Sequence, residues 1–338
     1  MTFPKLLIAT ALLLFTLIGI AAWSKSGKKE ESSPLLIEGT MSPIEVNLEP
    51  IPPSKKTPPV IAEAPKIQEK AKPIIDSKPL SSAHLPSANR IEELFNTKDP
   101  KLSIVETITY KSRVPWQKGR PAWLSDYAGH YNTSRHFIAR SLNGKPDYFQ
   151  QELAEGDRFN VFKEGKNLEF YLLIDTARSK MWFYALDLDQ QERILLKTYA
   201  VGLGRIDPSK PSGLLTPLGK YSLGNKIAIY KPKMMGFHNG QKTEMIRTFG
   251  TRWVPFEKEI SGCTAPAKGF GLHGVPWTSN DKGEIVEDIR SLGQYDSDGC
   301  IRLASADMEE LFAIIITKPT TVEIVKDFAD AKLPGKER

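Results

Sequence analysis

The stretch from position 168 to position 187 reads Leu168-Glu-Phe-Tyr-Leu-Leu-Ile-Asp-Thr-Ala-Arg-Ser-Lys-Met-Trp-Phe-Tyr-Ala-Leu-Asp187. Two runs of aromatic and branched residues flank a short polar turn, which predicts two neighbouring strands. Further strand-like runs occupy residues 159–162, 194–201, 220–223, 226–230 and 321–325. One helix is predicted after Ser305, where Met308, Leu311 and Phe312 recur at helical spacing. The pattern predicts a mainly β fold, a sandwich or barrel with one late helix.

The N-terminus carries an apolar segment. Residues 6–23 contain no charge, and eighteen such residues nearly span the hydrocarbon core of a bilayer. We expect a signal anchor, or a cleaved signal peptide with Gly19 and Ala21 near the cleavage site. By the positive-inside rule, the flanking lysines favour the orientation that leaves the chain after this segment in the cytoplasm, which conflicts with export. They are Lys5 before the span and Lys25, Lys28 and Lys29 after it.

Residues 24–88 have the composition of a linker. Eleven of the 25 prolines lie between Pro34 and Pro86, and residues 24–94 contain no aromatic side chain. Repeated proline favours extended backbone, and little is available to bury. We therefore predict a disordered, semi-rigid spacer.

The folded part of the chain is expected to begin near residue 89. A short helix through Ile91 would be capped by Ser87 or Asn89. We predict a small α+β module over residues 89–166, whose aromatic side chains are more typical of core than of ligand stacking. The main domain would then span 167–328, followed by a tail at 329–338.

Composition and motifs argue against nucleic-acid binding and against a nucleotide-binding glycine-rich loop. Forty-six Lys and Arg against 40 Asp and Glu leave a net charge of only +6, without a nucleic-acid-binding motif. Gly202-Leu-Gly204 lacks the third glycine of a dinucleotide fingerprint, and Gly213 to Tyr221 has the wrong spacing for a phosphate loop. Turns are the preferred interpretation of both glycine-rich segments.

Two short segments carry the residues for nucleophilic catalysis. They are Leu272-His273-Gly274 and Ser297-Asp298-Gly299-Cys300-Ile301-Arg302. A cysteine reacts as thiolate, so it needs a base or a cation nearby. His273 is a suitable general base, because the ordinary pKa of histidine lies near neutrality. We therefore predict Cys300 as nucleophile and His273 as its base.

The neighbours of the cysteine suggest supporting roles. Gly299 has no side chain to block a substrate carbonyl, and the N–H groups of Gly299 and Cys300 could face a developing oxyanion. Arg302 could bind a substrate carboxylate, or it could brace the loop through backbone carbonyls and Asp298.

At these residues the chain resembles the L,D-transpeptidase catalytic domain, the YkuD family. The family signature is a histidine, commonly followed by glycine, and then Ser/Thr-x-Gly-Cys, often extended by Ile-Arg. Ser297, Gly299 and Arg302 match the motif around Cys300, and Gly274 matches the residue after His273. Other family features fall in the usual order, so the resemblance covers residues 168–327. They are Leu172-Leu-Ile-Asp175, the aromatic strand around Trp182, Tyr199-Ala-Val-Gly202 and Thr216-Pro-Leu-Gly-Lys-Tyr221.

The chain departs from the family pattern in two places. Twenty-six residues separate His273 from Cys300, where the family more often has about 14 to 17. The excess, around 280–288, predicts an enlarged loop beside the cleft. Asp298 replaces the histidine that is frequent between serine and glycine. Both departures concern substrate choice more than the nucleophile.

The resemblance implies an acyl transfer through a Cys300 thioester. The thiolate would attack the carbonyl of the third residue of a peptidoglycan stem peptide, typically a diamino acid, and release the terminal D-Ala. An amine acceptor would give a 3–3 cross-link or an attached protein, whereas water would make the enzyme an L,D-carboxypeptidase. No metal or organic cofactor is needed. Such a substrate implies an exported protein, on the periplasmic or cell-wall side, tethered to the cytoplasmic membrane by residues 6–23.

Two structural alternatives compete with this interpretation. The chain contains two cysteines, and an exported protein with two cysteines ordinarily forms a disulfide, here Cys263–Cys300, permanent or reversible. A wall-binding protein that keeps the fold without catalysis is the second alternative. A papain-like peptidase ranks last, because that class usually places cysteine before histidine.

Overall fold

The computed structural model describes residues 85–99 and 102–338. The predicted anchor, residues 6–23, and nearly all of the predicted linker, residues 24–88, lie outside the described residues. Within the described ranges, no helix combines the length and the apolar character needed to cross a membrane.

Strands predominate in the described residues. The helices are α1 (Ile91–Phe95), α2 (Leu124–His130), α3 (Arg135–Asn143), α4 (Ile246–Phe249) and α5 (Ser305–Ile315), with 3-10 turns at Ile289–Ser291 and Phe328–Asp330. The first nine strands are β1 (Val105–Thr109), β2 (Arg158–Phe162), β3 (Leu168–Asp175), β4 (Lys180–Asp187), β5 (Glu192–Ala200), β6 (Leu203–Gly204), β7 (Gly219–Leu223), β8 (Ala228–Ile229) and β9 (Met235–His238). The others are β10 (Gln241–Glu244), β11 (Arg252–Ser261), β12 (Gly271–Gly274), β13 (Trp277–Ser279), β14 (Ile285–Glu287), β15 (Tyr295–Ser297), β16 (Ile301–Leu303), β17 (Thr320–Val325) and β18 (Lys336–Glu337). The predictions of a mainly β protein and of a late helix, α5, are confirmed.

One mixed sheet of ten strands forms the frame of the main domain. Its order is β16-β12-β11-β7-β17-β3-β4-β5-β18, with β8 also paired to β11. Residues 253–255 of β11 pair with β12 and residues 256–261 pair with β7, and the pairing with β7 shifts register between Phe256 and Lys258 and again between Glu259 and Ser261. Such bulges bend a strand and increase its twist. The large sheet curls into half a barrel, with β16 and β18 as its edge strands, which agrees in part with the sandwich or barrel that the sequence predicted.

Both faces of the central strands are buried, which explains their continuous apolar runs. On one face, Phe170 and Leu172 belong to the main core beneath α5. On the other face, Trp182 is 1% exposed, and its indole nitrogen donates to the Pro86 carbonyl over 2.7 Å. That second face is covered by two ends of the described chain, through Leu85, Ala88, Phe328, Ala331 and Leu333.

Residues 89–166 contribute to two cores. A small core of their own contains Tyr110, Tyr127 and Phe159, so these aromatic side chains are buried. Phe137 and Phe162 instead pack into the main core of the sheet. Strands β1 and β2 pair only with each other among the described strands, so they do not extend the large sheet.

A buried ion cluster links this N-terminal part to the sheet. Arg252 begins β11 and is 2% exposed. Its Nη2 donates to Asp147 Oδ1 over 2.5 Å, and the same carboxylate lies 3.4 Å from His136 Nδ1. A guanidinium buried to this extent needs such a partner.

Two local predictions are wrong. Helix α1 has Arg90 at its N-cap without a side-chain cap bond, because the backbone of Asn89 is held in a bridge to Lys197 of β5. The segment predicted as a turn at Gly202-Leu-Gly204 contains strand β6, which pairs in parallel with β15. Pairing across more than 90 residues is invisible to a local pattern.

Candidate active site

A parallel strand pair brings the two predicted catalytic residues together. His273 lies on β12 and Cys300 immediately precedes β16, and in this pair Leu272 faces Ile301 and His273 faces Arg302. Extending the register by one residue sets Cys300 opposite the residue two positions before His273. Strand spacings then place the Cα atoms of Cys300 and His273 about 8 Å apart.

The serine of the motif closes the loop that holds the cysteine. Ser297 is 1% exposed, and its hydroxyl donates to the Cys300 carbonyl over 2.7 Å. The same oxygen accepts from the Gly299 N–H over 3.1 Å. The Gly299 N–H is therefore engaged within the loop. The sequence analysis had instead expected this N–H to face a developing oxyanion.

Glycine is required at position 299 by conformation and by space. Its φ is +118°, and a Cβ there would lie 2.5 Å from Phe270 Cε1 and 2.9 Å from the Leu215 carbonyl oxygen. The Gly299 carbonyl accepts from the Thr216 hydroxyl over 3.0 Å, and that hydroxyl accepts from the Gly204 N–H over 2.7 Å. Thr216 was noted in the sequence only as part of the family pattern, and its contact with the nucleophile loop was not foreseen.

Cys300 is a partly exposed residue whose thiol lies beside a backbone carbonyl group. Its Sγ lies 3.7 Å from the Gly269 carbonyl oxygen. Burial raises the pKa of the Cys300 thiol to about 12, although the Gly271 N–H and the charge of Arg302 act in the opposite direction. The thiol is therefore protonated in this state of the site.

The imidazole of His273 is buried and neutral. The residue is 3% exposed, with its ring 5.4 Å from that of Phe249 and 5.9 Å from that of Trp253. Burial lowers the pKa of His273 to about 3. Its Nδ1 lies 2.7 Å from the Gly274 carbonyl oxygen, which can only accept, so Nδ1 carries the proton. The other nitrogen, Nε2, is then the one that can take a proton from a thiol.

Gly274 allows a close approach of backbone to this strand. A Cβ at Gly274 would lie 3.1 Å from the Thr251 nitrogen and 3.3 Å from the Gly250 Cα. The segment before β11 therefore packs directly on Gly274, whose carbonyl oxygen contacts the His273 ring.

Arg302 and Asp298 do not pair with each other, although the sequence suggested that they could. Arg302 donates from Nη1 to Asp296 Oδ1 over 2.7 Å and is 16% exposed. Asp298 accepts instead from Arg205 Nη2 over 2.6 Å. The loop contact of Arg302 is therefore made with Asp296. Asp298 is directed towards solvent, with 74% of its side chain exposed.

Sequence reasoning missed a second histidine near the site. His238 ends β9 in a hairpin with β10, whose two-residue turn is Asn239-Gly240, both with positive φ. Its ring lies 5.1 Å from that of Phe249, which also contacts His273. Its Nδ1 is buried without a hydrogen-bond partner among the described residues. The Asn239-Gly240 turn was not singled out in the sequence, and no local signal places this hairpin beside the site.

The enlarged loop after His273 has its own structure. Strands β13 and β14 form a hairpin, followed by the 3-10 turn Ile289–Ser291. Trp277 donates from its indole nitrogen to the Ser305 hydroxyl over 3.2 Å, which ties the hairpin to α5.

Both cysteines are free thiols in the structure. Cys263 donates to the Lys220 carbonyl over 3.0 Å, which gives its thiol a partner of its own. No disulfide links it to Cys300 in this state, and the described residues contain no group of three or more His, Cys, Asp or Glu placed to hold a metal ion.

Comparison with known proteins gives structural and family matches. The helical cell shape determining protein Pgp2 from Campylobacter jejuni is 17% identical, with 50% of each chain covered and a TM-score of 0.32. Bd1075 from Bdellovibrio bacteriovorus is 15% identical, covering 47% of this chain and 48% of its own, with a TM-score of 0.31. The chain thus spans about half the length of these solved structures, and no curated protein matches it. Residues 169–324 of this chain match the YkuD family model, which is described as the L,D-transpeptidase catalytic domain.

Proposed function

We propose that this protein is an L,D-transpeptidase that acts on peptidoglycan stem peptides through a thioester at Cys300. The observation that carries the proposal is the Ser297-closed loop, which holds Cys300 at the start of β16 beside the strand of His273. The match of residues 169–324 to the catalytic-domain family supports it.

The first half of the reaction forms the thioester. The Cys300 sulfur attacks the carbonyl of the third stem residue while its proton passes to His273 Nε2. The bond to the terminal D-Ala nitrogen then breaks, and the imidazolium returns the proton to the leaving amine. Burial raises the pKa of the Cys300 thiol and lowers that of His273, which favours a neutral pair at rest and a proton transfer that accompanies attack.

The second half resolves the thioester. An acceptor amine loses a proton to His273 and attacks the carbonyl, the carbon–sulfur bond breaks, and the thiol is restored. A second stem as acceptor gives a 3–3 cross-link, and a protein amine gives an attached protein. Water in the same position gives the L,D-carboxypeptidase reaction.

We also propose that the domain works outside the cytoplasmic membrane. The substrate is completed there, and the apolar segment 6–23 followed by a proline-rich stretch suits a tether with a spacer.

The test is incubation of the full chain with tetrapeptide-stem muropeptides, followed by mass spectrometry. We expect release of D-Ala, together with a dimer for transpeptidation or without one for the carboxypeptidase. Cys300→Ala should abolish release, and His273→Gln should lower the rate roughly 10²- to 10⁴-fold. Cys263→Ala is the matched control and should retain activity. Equal activity of wild type and Cys300→Ala would overturn the proposal.

A further inference from the structure

An exposed pair of opposite charges lies beside the nucleophile. Arg205 Nη2 and Asp298 Oδ1 are 2.6 Å apart, and Asp298 is two residues before Cys300. The two side chains are 60% and 74% exposed, so both charged groups face solvent. They are separated by 93 residues in the chain and meet only because β6 pairs with β15.

The backbone beneath this pair is fixed on both sides. The Arg205 N–H donates to the Ser297 carbonyl over 2.9 Å, and the Arg205 carbonyl accepts from the Leu215 N–H over 2.9 Å. Ser297 in turn holds Cys300 through its hydroxyl. The backbone that carries the two charges therefore has a defined position relative to Cys300, while the exposed side chains can adjust to a ligand.

Arg205 is better placed than Arg302 to bind a ligand. Arg302 is 16% exposed and is already paired with Asp296. An ion pair as exposed as Arg205–Asp298 contributes about 0–1 kcal/mol to stability, so either partner can turn to a ligand at little cost.

A ligand that satisfies both groups must carry an ammonium and a carboxylate close together. We propose that Arg205 and Asp298 form a subsite for the zwitterionic end of a diamino dicarboxylic acid at the third position of the stem. Arg205 binds its distal carboxylate and Asp298 its distal ammonium. This inference rests on the proposed function. It distinguishes a diamino dicarboxylic acid from lysine, which has the ammonium alone.

The experiment uses three tetrapeptide-stem muropeptides that differ only at the third residue. They carry meso-diaminopimelate, the same residue amidated at its distal carboxylate, or L-lysine. For the full wild-type chain we expect kcat/KM for the acid form to exceed that for the other two by roughly 10- to 100-fold, as for a charge-assisted contact. Arg205→Gln should reduce the acid-to-amide ratio to near one. Asp298→Asn should weaken all three substrates, because each carries the ammonium.

A matched control is available on the enlarged loop. Asp288 and Arg290 form another ion pair at the surface, with Arg290 83% exposed, and Asp288→Asn and Arg290→Gln should leave the three rates unchanged. Equal turnover of the three substrates by wild type, or an acid-to-amide ratio unaffected by Arg205→Gln, overturns the subsite.

Binding measured on Cys300→Ala separates the two proposals. Calorimetric preference for the acid form without D-Ala release by wild type supports the subsite and contradicts the proposed reaction. Release of D-Ala without any binding preference supports the reaction and contradicts the subsite.

Discussion

The Ser297 hydroxyl donates to the Cys300 carbonyl over 2.7 Å while it accepts from the Gly299 N–H over 3.1 Å. One buried oxygen thus fixes the backbone at Gly299 and at Cys300. The conformation of this loop, more than the side chain of any neighbour, sets where the Cys300 sulfur lies.

Removal of that hydroxyl is expected to affect activity and stability together. Ser297→Ala leaves a buried N–H and a carbonyl without their partner, which costs about 1–3 kcal/mol of unfolding free energy. We expect kcat to fall because the sulfur is no longer held in place. Ser297→Thr keeps the hydroxyl and should retain most of the activity and of the stability. Urea unfolding measures the unfolding free energy, and D-Ala release measures kcat. If Ser297→Ala keeps full kcat, the hydroxyl does not position the loop.

A second test concerns the space at Gly299. Gly299→Ala places a methyl group 2.5 Å from Phe270 and imposes positive φ on alanine, so we expect a large loss of activity and a lower melting temperature. Gly283→Ala is the matched control, since φ is +77° there but no atom lies within 4 Å of the added Cβ. Similar losses in both variants would mean that backbone strain alone, and not the contact with Phe270, matters.

The buried histidines predict acid destabilisation. Burial lowers the pKa of His273 to about 3 and that of His136 to about 4, from an ordinary 6.5. The unfolded chain therefore takes up protons first as the pH falls below 6.5, and stability decreases by up to about 1.4 kcal/mol per pH unit for each histidine. Urea unfolding at pH 7, 6 and 5 should show this slope, which stays nearly unchanged in a variant of the exposed His130.

The corresponding variants assign the slope. His273→Gln and His136→Gln should each make the unfolding free energy less dependent on pH between 6.5 and 4. A slope that survives both substitutions would show that other groups control the acid response.

The ion cluster beneath β11 predicts a strong dependence of stability on one carboxylate. Asp147→Asn removes the carboxylate 2.5 Å from the buried Arg252 and leaves it the more distant Glu309 at 3.8 Å, so we expect a loss of up to about 3–5 kcal/mol. The exposed pair Lys145–Glu152 is the control, and Glu152→Gln should change stability by less than about 1 kcal/mol. Chemical unfolding of the two variants compares these values, and equal effects would contradict the burial argument.

Much of the fold could be predicted because its strands are locally distinct. The runs at 168–174 and 181–186 correspond to β3 and β4, and the helical spacing after Ser305 corresponds to α5. Continuous apolar runs indicate burial on both faces but not what covers each face. The curl of the sheet into half a barrel could not be predicted in detail, since it depends on how β11 pairs with β12 and β7, which carries no clear local signal.

The sequence by itself determined which reactive groups are available, one motif cysteine and one histidine followed by glycine, and the family model that residues 169–324 match. Only the tertiary structure decided what surrounds them. The contacts Thr216–Gly299, Arg205–Asp298 and Arg252–Asp147 join residues 83, 93 and 105 positions apart. A motif is short because its residues share one loop, whereas these partners become neighbours only when the sheet has curled.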